Sequence, residues 1–254
     1  MHARTALVAA AILAATLTAC SGNHKQPAAD TSTSSSKLKA PAAQTKAVSV
    51  RLAWSRTAKD GGGDTEVSYV ARVQNPGKSP ASVAIDVRAL DETGTIVGSS
   101  QETLPNVPAG ATFDFFGNLG GGFSASLTGT PAKLQISQNK DAFGQAGAVD
   151  SPMLASSELK LSSGSRDDLY TDANAPYAYN LAVKVTNSTH DAVANGVVQQ
   201  VVLYDAKGNV VGGDTGSSDN APDNLPAGMS YREQWTGIPA AAKAVRAAYT
   251  VWQG

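Results

Sequence analysis

An internal duplication limits what this chain can fold into more than any other feature. Tyr69-Val70-Ala71-Arg72-Val73-Gln74-Asn75 corresponds to Leu181-Ala182-Val183-Lys184-Val185-Thr186-Asn187, at a spacing of 112 residues. Val87-Arg88-Ala89-Leu90-Asp91-Glu92-Thr93-Gly94-Thr95-Ile96-Val97-Gly98 corresponds to Val201-Val202-Leu203-Tyr204-Asp205-Ala206-Lys207-Gly208-Asn209-Val210-Val211-Gly212 at 114, and Asn106-Val107-Pro108-Ala109-Gly110 to Asn224-Leu225-Pro226-Ala227-Gly228 at 118. Three blocks in the same order describe one unit present twice. The slow growth of the spacing places small insertions in loops of the second copy, where they are tolerated.

Each block has a period of two. Alternation puts Tyr69, Ala71 and Val73 on one face and Val70, Arg72 and Gln74 on the other, the pattern of a half-solvated antiparallel sheet. Leu181, Val183 and Val185 are the inward set of the second copy, and Val83, Ile85 and Val87 that of the next strand of the first, with Asp86 and Arg88 outward. The strand from Val197 to Tyr204 is its counterpart. Asp91 to Gly94 and Asp205 to Gly208 read as hairpin turns in which Gly supplies a positive φ, and Pro-Ala-Gly as a second turn. Leading strands at Val48 to Trp54 and Glu158 to Leu161, with closing strands at Lys133 to Ser137 and Val245 to Trp252, complete each unit. The expectation is an all-β chain with two tandem immunoglobulin-like β-sandwich domains, at residues 47–147 and 148–254, each of about 100 residues and with its own core.

An apolar strand, then Leu203-Tyr204-Asp205-x-x-Gly208, then Pro226-x-Gly228 and an aromatic residue, resembles the FxLYD family of small extracytoplasmic β-sandwich domains. The opening aromatic of that signature is Val201 here, and the first copy reads Val87-Arg88-Ala89-Leu90-Asp91. The resemblance implies an extracytoplasmic interaction module and transfers no catalytic residue.

The N-terminus carries a second resemblance. Arg4 is followed by an apolar run from Ala6 that closes on Leu17-Thr18-Ala19-Cys20, which resembles the lipobox of bacterial lipoproteins. The fourteen residues Ala6 to Ala19 are short of the roughly 20 that a bilayer span needs. The resemblance implies removal of a signal peptide at residues 1–19 and a diacylglycerol on the Cys20 sulfur. Such a lipid anchors the protein stably to the outer face of the cell membrane. Residues 20–46, rich in Ala, Ser, Thr, Pro and Lys, show no apolar period and read as a disordered linker. As a flexible coil it reaches roughly 25 to 30 Å.

Charge and composition exclude several function classes. The formal net charge is −1, and losing Arg4 with the signal peptide makes it −2. Without a basic face no nucleic-acid partner is expected. With Cys20, the sole cysteine, consumed by lipid, no disulfide forms within the chain. His24 lies in the linker and His190 in a turn, so no nucleophile and base pair is legible, and no cofactor is expected. The glycine runs Gly61 to Gly63 and Gly120 to Gly122 lack the Lys-Ser or Lys-Thr of a phosphate cradle and read as loops. Asn187-Ser188-Thr189 fits a glycosylation sequon but reads as a structural turn.

Two oxygen-rich loops remain as candidate calcium ligands: Asp167, Asp168 and Asp172 in one, and Asp214, Asp219 and Asp223 in the other. Among the aromatics, Phe113 and Phe115 share one face and are expected in a core. Phe116 points the other way, marking either a contact between the units or an exposed patch. Tyr170 and Tyr177, in a loop beside acids, are the candidate partner-binding residues. The leading expectation is a membrane-anchored, non-catalytic module that binds an envelope protein or assists envelope assembly. The alternative is an extracytoplasmic protein that binds calcium or a small ligand in the acidic loops or the groove between units. The weakest is an envelope hydrolase.

Overall fold

The computed structural model describes residues 47–121, 127–141, 151–194 and 196–253. The signal peptide, Cys20 and the linker expected at residues 20–46 lie outside them, as does the boundary at 147/148. These described residues form one compact unit. It is all-β, with a single 3-10 turn at Arg166–Asp168 among the described residues.

The first copy contributes β1 (Ser49–Lys59), β2 (Thr65–Gln74), β3 (Ala81–Leu90), β4 (Ile96–Val107), β5 (Thr112–Gly120) and β6 (Lys133–Gln138). The second contributes β7 (Ala155–Ser163), β8 (Tyr177–Thr186), β9 (Val193–Ala194), β10 (Val197–Tyr204), β11 (Val210–Ser217), β12 (Asn224–Leu225), β13 (Ser230–Ala240) and β14 (Arg246–Gln253). Strand order β1-β2-β5 in the first copy recurs as β7-β8-β13 in the second, and β4-β3-β6 recurs as β11-β10-β14. All of these neighbours are antiparallel. The sequence duplication is therefore a duplication of hydrogen-bonded topology, with the short β9-β12 pair added to the second copy.

The copies differ at one seam. In the second, Gly212 of β11 pairs with Ala240 of β13 and joins both halves into a six-stranded sheet. A Cβ at Gly212 would stand 2.2 Å from Pro239 O, so only glycine allows this approach. In the first copy β4 and β5 stay unpaired. There Leu127 fills one end of the seam, since Cβ atoms on Gly98 and Gly120 would lie 2.4 and 2.9 Å from its side chain.

Three large apolar clusters hold the unit together, with a small fourth at Leu169, Ala175 and Ala178. Tyr69, Ala71, Val73, Val83, Ile85 and Val87 face one another in the first copy with Phe113 and Phe115, and Leu181, Val183 and Val185 lie in the core of the second, as their alternation requires. The third cluster was not legible. Val70, on the face expected to meet solvent, is fully buried with Phe116 of β5 against Val202, Tyr204 and Val210 of the second copy. The β1-β2-β5 sheet thus buries apolar residues on both faces, and Phe116 marks the contact between copies. Gln200 completes that contact. Its side-chain amide donates to Asp114 O at 2.7 Å and its oxygen accepts from Phe116 N at 2.9 Å, satisfying backbone on the unpaired edge of β5. Tyr204 Oη donates to Asp114 Oδ2, which also accepts from Arg72. The connecting segment joins in as well. Asn106 N donates to Ser151 O and Leu154 N to Val251 O, so residues 151–154 belong to the interface.

Turn chemistry shared by the two copies explains the matched blocks. Asp91 Oδ1 accepts from the backbone N of Thr93 and Thr95, and Asp205 Oδ1 from Lys207 and Asn209, with Gly94 and Gly208 at φ of 87° and 82°. Asn75 Nδ2 donates to Ser79 O and Val107 O, while Asn187 Nδ2 donates to Asp191 O and Leu225 O. Each Asn thereby ties the end of its strand to the Pro-Ala-Gly turn. Asn187 is 0% exposed, so its amide serves the fold and is not open to a glycan. Asn187→Ala strands the two carbonyls and Thr189 N, which is expected to cost about 2–4 kcal/mol. Asn187→Asp, which cannot donate, should fail to restore the loss, as urea unfolding of both variants will check.

Candidate functional site

The junction between the copies opens into a cleft of about 1320 Å³. Its floor is the free end of the β4/β5 seam, with Glu102 on β4 and Phe115 and Gly117 on β5. The facing wall comes from β11 and β13 of the second copy, including Asp214, Glu233 and Trp235. Tyr170 and Asp168 frame one side and Trp252 another.

Local strand geometry also buries a polar group beside the cleft. Glu66 and Ser68 share the outward face of β2 with Val70 and are buried by the second copy in the same way. Ser68 Oγ donates to Glu66 Oε1. Burial, then the neighbouring Asp214, and then Asp60 and Asp172, push the Glu66 carboxyl up to about 8, against the opposing hydrogen bond from Ser68. Asp214, in β11, is pushed up to about 7 by burial, although Thr215 N donates to its Oδ1 at 2.9 Å. A Cβ on Gly121 would fall 2.6 Å from Glu66 Oε2 and 3.4 Å from Asp60 Oδ2, so these two carboxyls converge on one stretch of backbone. Four acids, two from each copy, thus meet at the junction, and Arg56 of β1 pairs with one of them, Asp172.

The six acids expected as metal ligands separate into two groups. Asp172 and Asp214 are buried at the junction, whereas Asp167, Asp168, Asp219 and Asp223 are exposed. Asp168 and Asp219 line the cleft; Asp167 and Asp223 do not. Among the described residues no three His, Cys, Asp or Glu side chains come together to hold a metal ion. His190 is exposed in the loop after β8.

Tyr170 and Tyr177 are 45% and 42% exposed. Tyr170 is also part of the clamp between copies: its carbonyl accepts from Gly61 N at 2.7 Å, and its ring fills the space beside Gly61. Ala173 N donates to Lys59 O in the same clamp. Tyr177 begins β8 and does not line the cleft. Sequence reasoning missed Glu66, Glu102 and Asp60. Glu66 and Ser68 occupy polar positions of an ordinary half-solvated strand, and their burial follows only from what covers that face.

The chain was compared with known protein families and with curated proteins, and neither comparison finds a match.

Proposed function

We propose that this protein is a lipid-anchored extracytoplasmic binding module without catalytic activity, built from two tandem immunoglobulin-like β-sandwich domains. In this reading Cys20 carries the lipid, residues 20–46 lift the domains off the membrane, and an envelope protein is engaged at the cleft between them. The observation that supports it is the cleft itself. Two copies of one unit share a buried apolar cluster and a buried polar bridge at Gln200, which holds the cleft walls in fixed register. Preformed concave surfaces of this kind, with aromatic walls and a few polar groups, are the usual places for a ligand.

The test is photo-crosslinking in cells. A photoreactive residue replaces Gln234 at the cleft, or Ile96, which is exposed away from it. A discrete adduct from position 234, absent from position 96 and lost with Cys20→Ala, is the expected result. Equal adducts from both positions, or none from either, would reject the reading, as would unchanged membrane association of Cys20→Ala.

A further inference from the structure

We infer that the cleft recognises aliphatic ammonium groups, supplied either by a free polyamine or by lysine side chains on a segment of the partner. The inference rests on the cleft being the binding surface. The chain as a whole is balanced, with 20 basic and 21 acidic residues, yet the cleft is not. Glu102 lines it from the first copy and Asp168, Asp219 and Glu233 from the second, beside Glu66 and Asp214, whose carboxyls burial raises to about 8 and about 7, and no Lys, Arg or His among the described residues lines it. Low-dielectric walls focus the field of such one-signed lining and concentrate cations there. Tyr170, Trp235 and Trp252 add aromatic surface, whose faces attract ammonium groups and whose rings bury a methylene chain.

An unused acceptor points the same way. Asn118 Oδ1, in the cleft lining, is buried without a partner at hydrogen-bond geometry. That oxygen accepts hydrogen bonds, and an ammonium supplies three donors. A calcium ion instead needs six to eight oxygens around one point. The cleft carboxyls are dispersed over its length, which suits a ligand whose charges are separated along a flexible chain.

Calorimetric titration of the whole chain in detergent tests this with three probes: spermidine, a short peptide of alternating lysine and alanine, and a triglutamate peptide. Saturable binding of one or both cations, weakening with added salt, and no binding of triglutamate is expected. Tighter binding of the peptide assigns the ammonium groups to a partner segment, and tighter binding of spermidine assigns them to a free polyamine. Glu102→Gln should weaken binding roughly two- to fivefold, as for a partly screened ion pair, and Asp219→Asn, on the exposed rim of the cleft, provides a second variant. Glu92→Gln, an equal charge change in the exposed β3-β4 turn, should leave it unaltered. Absence of saturable cation binding, or equal weakening by Glu92→Gln, overturns the inference. If position 234 still crosslinks a partner while both cations are ignored, the ligand class fails and the binding cleft stands; if crosslinking fails too, both fall.

Discussion

Phe116→Ala is expected to lower the unfolding free energy by about 3–5 kcal/mol, the usual cost of emptying a fully buried aromatic site. The ring is 1% exposed and lies 6.2 Å from that of Trp54, centroid to centroid. Gly213 sits against it so closely that a Cβ there would be 2.7 Å from the ring. Backbone on both sides is fixed by sheet pairing, so the site has little freedom to collapse. The location of the loss matters more than its size. Phe116 belongs to the cluster that joins the copies, whereas Phe113, three residues earlier on β5, belongs to the first copy's own core. Wild-type protein should therefore melt in one cooperative calorimetric transition, and Phe116→Ala should split it into two as each copy unfolds on its own. Phe113→Ala should cost a similar amount without that splitting. Wild-type melting in two steps, or splitting by Phe113→Ala alone, would show that the junction does not couple the copies.

This distinction was only half visible in the sequence. Alternation assigned Tyr69, Ala71 and Val73 to one face because a strand has a period of two, and those residues do form a core. Asp91, Asp205 and Asn187 were legible as turn residues because they bond to backbone a few positions away. What alternation does not encode is the occupant of the opposite face. Val70, among Glu66, Ser68 and Arg72, reads as an isolated apolar residue on a wet surface, and becomes a core residue only when Val202 and Tyr204, far along the chain, are placed over it. Gln200 is a related case. In a strand pattern it is a polar interruption, and its use as a backbone partner for β5 depends on β5 having an unpaired edge. The acidic loops were legible as oxygen-rich, but their charge told nothing of which carboxyls would be buried. That was settled by contact with Arg56 and Glu66 from the other copy.

Glu66 and Asp214 make stability depend on pH in an unusual direction. Their folded-state values, about 8 and about 7, lie above the ordinary 4.5 and 3.8. Between about pH 4 and pH 8 the folded protein therefore holds protons that the unfolded chain releases. Stability from this source is fully present below the ordinary values and is lost as pH rises through the folded ones. One retained proton is worth about 1.4 kcal/mol per pH unit. With partial screening the two groups amount to a few kcal/mol, or roughly 5–10 °C in melting temperature for a chain of this size. The melting temperature should thus fall as pH is raised from 5 to 9. Asp91, Asp205 and Glu158 act oppositely: hydrogen bonds from Thr93, Asn209 and Arg232 respectively are the largest causes of their lowered values, so what they contribute is lost in acid. Maximum stability is accordingly expected near pH 5. Glu66→Gln keeps the shape of the protonated side chain, removes its charge beside Asp214, Asp60 and Asp172, and should melt above wild type at pH 9 while matching it at pH 5. A flat profile, or a Glu66→Gln variant that melts lower at pH 9, would mean that the junction carboxyls stay ionised and that their charge is accommodated by something other than the bound proton.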